Sequence, residues 1–107
     1  MMNSVRCAAA ILALLAAPAA LAGDGEAGRL KANTCMGCHG IPGYNNAYPT
    51  YRVPKLGGQS ADYIAAALQA YKPGERPHKT MQAQAQSLSD EDIADIATYL
   101  ASAPKLK

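Results

Sequence analysis

The chain is predicted to fold as a small all-α domain. Apolar residues recur at helical spacing behind capping residues in two stretches, and no stretch sustains period-two alternation with turn chemistry. The third observation is length: 107 residues allow one domain and exclude a multidomain enzyme or a doubly wound dinucleotide-binding fold.

The first 22 residues read as a secretory signal. Arg6 supplies a positive start, Ala8 to Ala17 form a short apolar run, and Pro18 leads to the small-residue site Ala20-Leu21-Ala22 before Gly23. The run is far shorter than the roughly 20 residues that span a bilayer, so no membrane span is expected after cleavage. Cys7 precedes the apolar run and leaves with the signal. The expected organisation is a cleaved signal over 1–22 and one domain over 23–107, exported to an oxidising compartment, the periplasm.

Loss of Arg6 takes the ten basic residues to nine, against eight acidic ones. That balance excludes a nucleic-acid binder built on charge. The domain has neither Phe nor Trp and keeps only Cys35 and Cys38, so its core is thin and calls for a staple, a metal or a cofactor.

Taken in order, Asp24 caps a short helix carrying Ala27, Leu30, Lys31 and Thr34 along one stripe. Residues 40–58, with three prolines and several glycines, read as an extended loop. Ser60 caps a second helix whose apolar face is Ile64, Ala67, Leu68 and Tyr71, ended by Lys72-Pro73-Gly74. The best-marked helix starts at Ser89. Asp90, Glu91 and Asp92 suit the positive helix N-terminus, Leu88 and Ile93 take the two positions of a hydrophobic staple, and Ile93, Ile96, Ala97 and Leu100 repeat until Pro104.

The chemistry is concentrated at Cys35-Met36-Gly37-Cys38-His39. C-x-x-C-H is the attachment signature of c-type haem: two thiols on one side of a turn each add to a vinyl group, and the imidazole that follows lies under the iron. A Cys35–Cys38 disulfide closes a tiny loop and leaves His39 without a role. A thioredoxin-like pair needs a βαβ context that is not visible, and a zinc site recruiting His78 lacks the H-x₃₋₅-H spacing. Haem c, one per chain and covalently attached, is the expected cofactor, with His39 as the proximal axial ligand.

The distal ligand lies further along. Met1 and Met2 leave with the signal and Met36 is held inside the attachment loop, which leaves Met81, expected in a loop after the helix ending near Lys72. A lone Met is ordinarily core filler, but here it follows the polar run PGERPHKT with no helical apolar partners before it. His78, three residues away, is the competing ligand or else a solvated loop histidine.

With these residues in view, the chain resembles the class I c-type cytochromes from residue 23 onward, most closely the small bacterial monohaem cytochromes c-553 and one half of the dihaem forms. The resemblance rests on Gly28, Cys35 to His39, Val53-Pro54-Lys55-Leu56-Gly57-Gly58-Gln59 and Asp62-Tyr63. It continues through Tyr71 to Arg76, Met81, and Leu88 to Ala94 leading to Tyr99. It implies helices wrapped around one covalently bound haem, with a long loop after the attachment motif. It further implies that Gly28 lets the first helix cross closely against Tyr99, that the Pro54 carbonyl holds the other ring nitrogen of His39, and that Leu56 packs on the haem. The loop from Gly40 to Arg52, with Tyr44, Tyr48 and Tyr51, looks longer than in the shortest family members.

An iron held by His39 and Met81 has no open position, so the implied function is outer-sphere transfer of single electrons between respiratory or other redox enzymes, with no catalytic residues. Two alternatives stand beside it. One is a haem enzyme or gas-binding cytochrome with a labile sixth ligand, and the other is a dedicated electron-entry subunit of a larger oxidoreductase. A monomer is expected, meeting a donor and an acceptor that present acidic docking surfaces. The reason is charge: residues 52–79 carry Arg52, Lys55, Lys72, Arg76 and Lys79 against only Asp62 and Glu75, whereas residues 80–107 are net acidic.

Overall fold

The first and last helices cross at backbone distance, and the rest of the fold is arranged from that crossing. The computed structural model describes residues 23–48 and 50–105; the expected signal over 1–22, with Cys7, lies outside the described residues. Five helices and one hairpin follow in order: α1 (Gly25–Lys31), α2 (Asn33–His39), β1 (Asn45–Ala47), β2 (Thr50–Arg52), α3 (Ala61–Tyr71), α4 (Lys79–Ala85) and α5 (Asp90–Ser102).

Asp24 caps α1 as the sequence predicts, its carboxylate accepting from the Glu26 and Ala27 amides at 3.0 and 3.2 Å. The buried face of α1 differs from expectation. Leu30 is 66% exposed, while Gly28 and Ala32 are buried. The reason is the crossing: a Cβ at Gly28 would stand 1.9 Å from the Asp95 carbonyl oxygen and 2.9 Å from Tyr99 Cβ, so small residues face α5 and the large apolar side chain is turned away. α1 and α2 are separated only at Ala32, whose amide still donates to the Gly28 and Leu30 carbonyls.

Residues 40–58 hold a short hairpin where an extended loop without strands was expected. β1 pairs antiparallel with β2, Asn46 opposite Tyr51, and the Val53 amide donates to the Tyr44 carbonyl at 3.0 Å. Three-residue strands are too short to show alternation in sequence. The flanking residues are exposed and only the central Asn46 and Tyr51 turn inward.

α3 and α5 follow their sequence signals. Ser60 caps α3, with Ile64 and Leu68 buried. Ser89 and Asp92 form a reciprocal capping box at 3.0 Å in both directions, and Ile93, Ile96, Ala97 and Leu100 are buried. The apolar core among the described residues is Ala32, Ile64, Leu68, Ala85, Ile93, Ile96, Ala97 and Leu100, with no aromatic ring in it. No described helix is long and apolar enough to cross a membrane.

The acidic face of α5 is not left open. Lys31 reaches Asp95 at 2.6 Å and Asp92 at 2.9 Å, and the other oxygen of the buried Asp95 accepts the Asp24 amide at 2.7 Å. The Ser89 amide and then the Lys31 ammonium hold the Asp92 carboxyl down to about 2. Lys31, then the Asp24 amide, lowers Asp95, and the two carboxylates raise Lys31 above the usual lysine range. Because both carboxyls are depressed in the folded state, their stabilisation is complete above the ordinary carboxylate value of 3.8 and is lost as pH falls toward about 2. Acid unfolding followed by circular dichroism should therefore begin at a higher pH in Lys31→Met than in the parent. Coincident acid limbs would show that the network adds nothing.

Candidate functional site

α2 presents the cysteine motif. Cys35 and Cys38, one turn apart, are both free thiols; Cys35 is half-buried against the core and Cys38 is exposed. Burial pushes the Cys35 thiol up, only partly opposed by the Thr34 side chain. Among the described residues, no three His, Cys, Asp or Glu side chains gather closely enough to hold a metal ion.

His39 is the last residue of α2, which stops where the Gly40 amide donates to the Met36 carbonyl at 3.1 Å. Its Nδ1 lies 2.6 Å from the Pro54 carbonyl oxygen, the contact implied by the family resemblance. A carbonyl only accepts, so Nδ1 carries the proton and Nε2 of the neutral ring keeps its lone pair. The ring is thereby oriented by the extended segment after β2, and its other nitrogen is left as a donor atom for a metal.

Leu56 and Met81 lie, like Cys35, half-buried against the same apolar cluster. Met81 stands on a helix and not in a loop: it is the third residue of α4, whose buried face is Ala85 alone. One buried alanine in a run of glutamines gives no apolar stripe, which is why the helix is silent in the sequence. Its cap is His78, whose Nδ1 accepts the Met81 amide at 3.3 Å. His78 is thus neither a solvated loop residue nor a partner of the cysteines. Its ring stands edge-on to Tyr51 at 4.8 Å and to Tyr71 at 6.2 Å.

The tyrosines of the long loop also separate. Tyr48 is 94% exposed at the hairpin turn, whereas Tyr51 donates its hydroxyl to Thr80 Oγ1 at 3.1 Å, tying the hairpin to α4. Two cations of the basic block are engaged locally. The Lys72 ammonium donates to the Leu88 carbonyl, and the Arg76 guanidinium lies 4.9 Å over the Tyr71 ring and reaches the Tyr63 hydroxyl at 3.3 Å.

A mostly helical domain that presents a C-x-x-C-H motif on a short helix against so thin a core, and locks the histidine through Nδ1, has the features of a domain that carries haem covalently. The sequence profile described as Cytochrome c matches residues 26–104, and the chain belongs to the cytochrome c family. It is 49% identical over 84 residues to the cytochrome c-554(548) of Halomonas halodenitrificans, covering 76% of this chain and 98% of that protein. It is 43% identical over 81 residues to the cytochrome c4 of Pseudomonas aeruginosa, where it spans 39% of the relative's length. Similarity also extends to the cytochrome subunit of sulfide dehydrogenase from Chlorobaculum tepidum, at 32% over 78 residues and 67% of that chain. The fold is thus that of a small class I cytochrome, its cofactor is covalently bound haem c, and its role is to carry electrons.

Since the described apolar core contains no aromatic ring, the cofactor should be needed for folding. The Cys35→Ala, Cys38→Ala double variant should lose its cooperative thermal transition and most of its helical circular dichroism. A native-like transition in that variant would show that the polypeptide core suffices alone.

Proposed function

We propose that the chain is a periplasmic single-electron carrier whose haem iron is held by His39 Nε2 and Met81 Sδ, with Cys35 and Cys38 as the thioether attachment points and Pro54 and Leu56 beside the group. The observation that carries this reading is the 2.6 Å contact between His39 Nδ1 and the Pro54 carbonyl, which commits one ring nitrogen and reserves the other. When bound, haem c supplies an iron that changes oxidation state by one electron.

The chain's own residues do the rest. The Pro54 carbonyl fixes the tautomer and orientation of His39 and increases its basicity as a donor. Leu56, packed like Met81 against the apolar cluster, adds apolar surface that would help to exclude water. A thioether donor sets a higher reduction potential than a second imidazole would. With His39 and Met81 both holding the iron, the chain would leave no donor position open to a substrate, which favours a carrier over a haem enzyme or gas-binding protein. Met81→Ala should abolish the red-region sulfur-to-iron absorption of the ferric protein, lower the potential and admit imidazole or carbon monoxide. Parent protein that binds those ligands as readily as Met81→Ala would overturn the six-coordinate assignment.

For the partner surface, Lys72 and Arg76 already serve local contacts, so the steering charge is better represented by the exposed Arg52 on β2 and Lys79 at the start of α4. An acidic partner surface facing these residues would raise the encounter rate more than the affinity. Electron transfer to the physiological acceptor should slow as ionic strength rises, and the Arg52→Glu, Lys79→Glu double variant should slow it further at low salt. Lys79→Glu places an acid in the first turn of α4, where the helix dipole welcomes it, so the change tests docking without weakening the helix. A rate indifferent to salt and to both reversals would exclude steering by this surface. The likeness to the cytochrome subunit of sulfide dehydrogenase supports a second reading, a dedicated electron-entry subunit. Co-purification with a larger oxidoreductase at high salt would favour that over a free shuttle.

A further inference from the structure

Helix α4 is an unusual place to hang a residue that must stay still. It has seven residues and one buried side chain, Ala85, and a helix of that length has little stability of its own. What fixes its first turn comes from outside. His78, with φ −163° and ψ 103°, is in extended backbone at the cap position, and its Nδ1 accepts the Met81 amide. Serine, aspartate or asparagine would cap as well or better. The imidazole adds a ring, and that ring is gripped. Tyr51 meets it edge-on at 4.8 Å with an interplanar angle of 84°, and Tyr71, the last residue of α3, approaches from 6.2 Å at 76°. Tyr51 also bonds Thr80 through its hydroxyl, so one side chain of the hairpin holds the two residues on either side of Lys79, directly before Met81. Arg76 completes the stack on Tyr71 and is anchored in turn on the Tyr63 hydroxyl.

We propose that His78 and Tyr51 are positioning residues for Met81: the hairpin, through Tyr51, and α3, through Tyr71, clamp the His78 ring, and His78 passes that constraint to the Met81 backbone. This inference rests on the reading of Met81 as the distal donor to iron. A thioether is a weak neutral donor, so its residence on the metal depends on how little its segment can move. The clamp restricts that motion from two separate elements. It also gives the long loop a task, since β2 delivers Tyr51 to the His78 ring and Thr80.

The test uses the intact haem-loaded ferric protein, with imidazole as the competing ligand and amide hydrogen exchange at Met81 as a second readout. His78→Ala removes cap and ring together and should raise imidazole affinity about three- to ten-fold, weaken the sulfur-to-iron absorption and speed Met81 amide exchange. His78→Asn keeps an acceptor where Nδ1 stands and should recover part of that loss. Tyr51→Phe keeps the ring contact, loses the Thr80 bond and should give a smaller rise of about two-fold. Ile96→Val, which trims the shared core from α5, an element whose backbone makes no close approach to α4, serves as the reference for general destabilisation. Imidazole binding unchanged in His78→Ala and Tyr51→Phe, while Met81→Ala binds it freely, would overturn the clamp and leave the ligand assignment standing. An equal rise in Ile96→Val at matched loss of melting temperature would also overturn it. Persistence of the sulfur-to-iron absorption in Met81→Ala would instead remove the ligand assignment, and the clamp with it.

Discussion

Gly28 lies with its α-carbon against the Asp95 carbonyl, where a β-carbon would come within 1.9 Å of the oxygen, and this contact lets α1 rest on α5 at backbone distance. The same Asp95, buried, accepts the Asp24 amide with one carboxylate oxygen and the Lys31 ammonium with the other, so a single residue of α5 secures both ends of α1. Such a buried charge is tolerable because it is fully partnered, and losing either partner would leave it exposed to its desolvation cost. α2 continues from α1 with only the wholly buried Ala32 between them. The direction in which Cys35, Cys38 and His39 are presented is therefore inherited from a crossing that none of them takes part in.

The second constraint is scarcity of core. Eight aliphatic residues, three of them alanines, make up the buried apolar cluster among the described residues, and the larger side chains packed on it, Leu56, Tyr71, Met81 and Tyr99, are only half-covered. Small domains with so little apolar volume depend on a cross-link or a bound group for stability. In a family that carries haem c covalently, the porphyrin is the group that would serve both needs.

How far the sequence disclosed this depended on the range of each signal. The caps at Asp24, Ser60 and Ser89 and the apolar face of α5 were legible because a cap and a 3.6-residue repeat are local properties. The contact of His39 with Pro54 was legible only through resemblance, since it joins residues fifteen apart that share no pattern. The close approach of Gly28 to Tyr99 was likewise legible through resemblance, but Leu30 was misplaced on the buried stripe, because backbone-distance packing favours the smallest side chains and hydropathy favours the largest. The hairpin and α4 were invisible for a related reason. Neither owns an apolar face, and the two are tied to each other, Tyr51 of the hairpin bonding Thr80 of α4 and meeting the ring of its cap, His78.

In the proposed coordination, the two axial donors are held by means of very different strength. His39 immediately follows Cys38, so covalent attachment and the Pro54 carbonyl confine it together. Met81 belongs to a seven-residue helix with one buried side chain, fixed by a capping hydrogen bond of 3.3 Å, a tyrosine hydroxyl and ring contacts. Non-covalent ties of this size are worth about 1 kcal/mol apiece, far below a thioether link. If Met81 is the distal donor, its segment would be the more easily displaced of the two. On the proposed assignment, that asymmetry would put control of the distal donor in the contact between the hairpin and α4 rather than in the attachment motif. Variation of Tyr51 or His78 could then tune the carrier without touching the residues that assemble it.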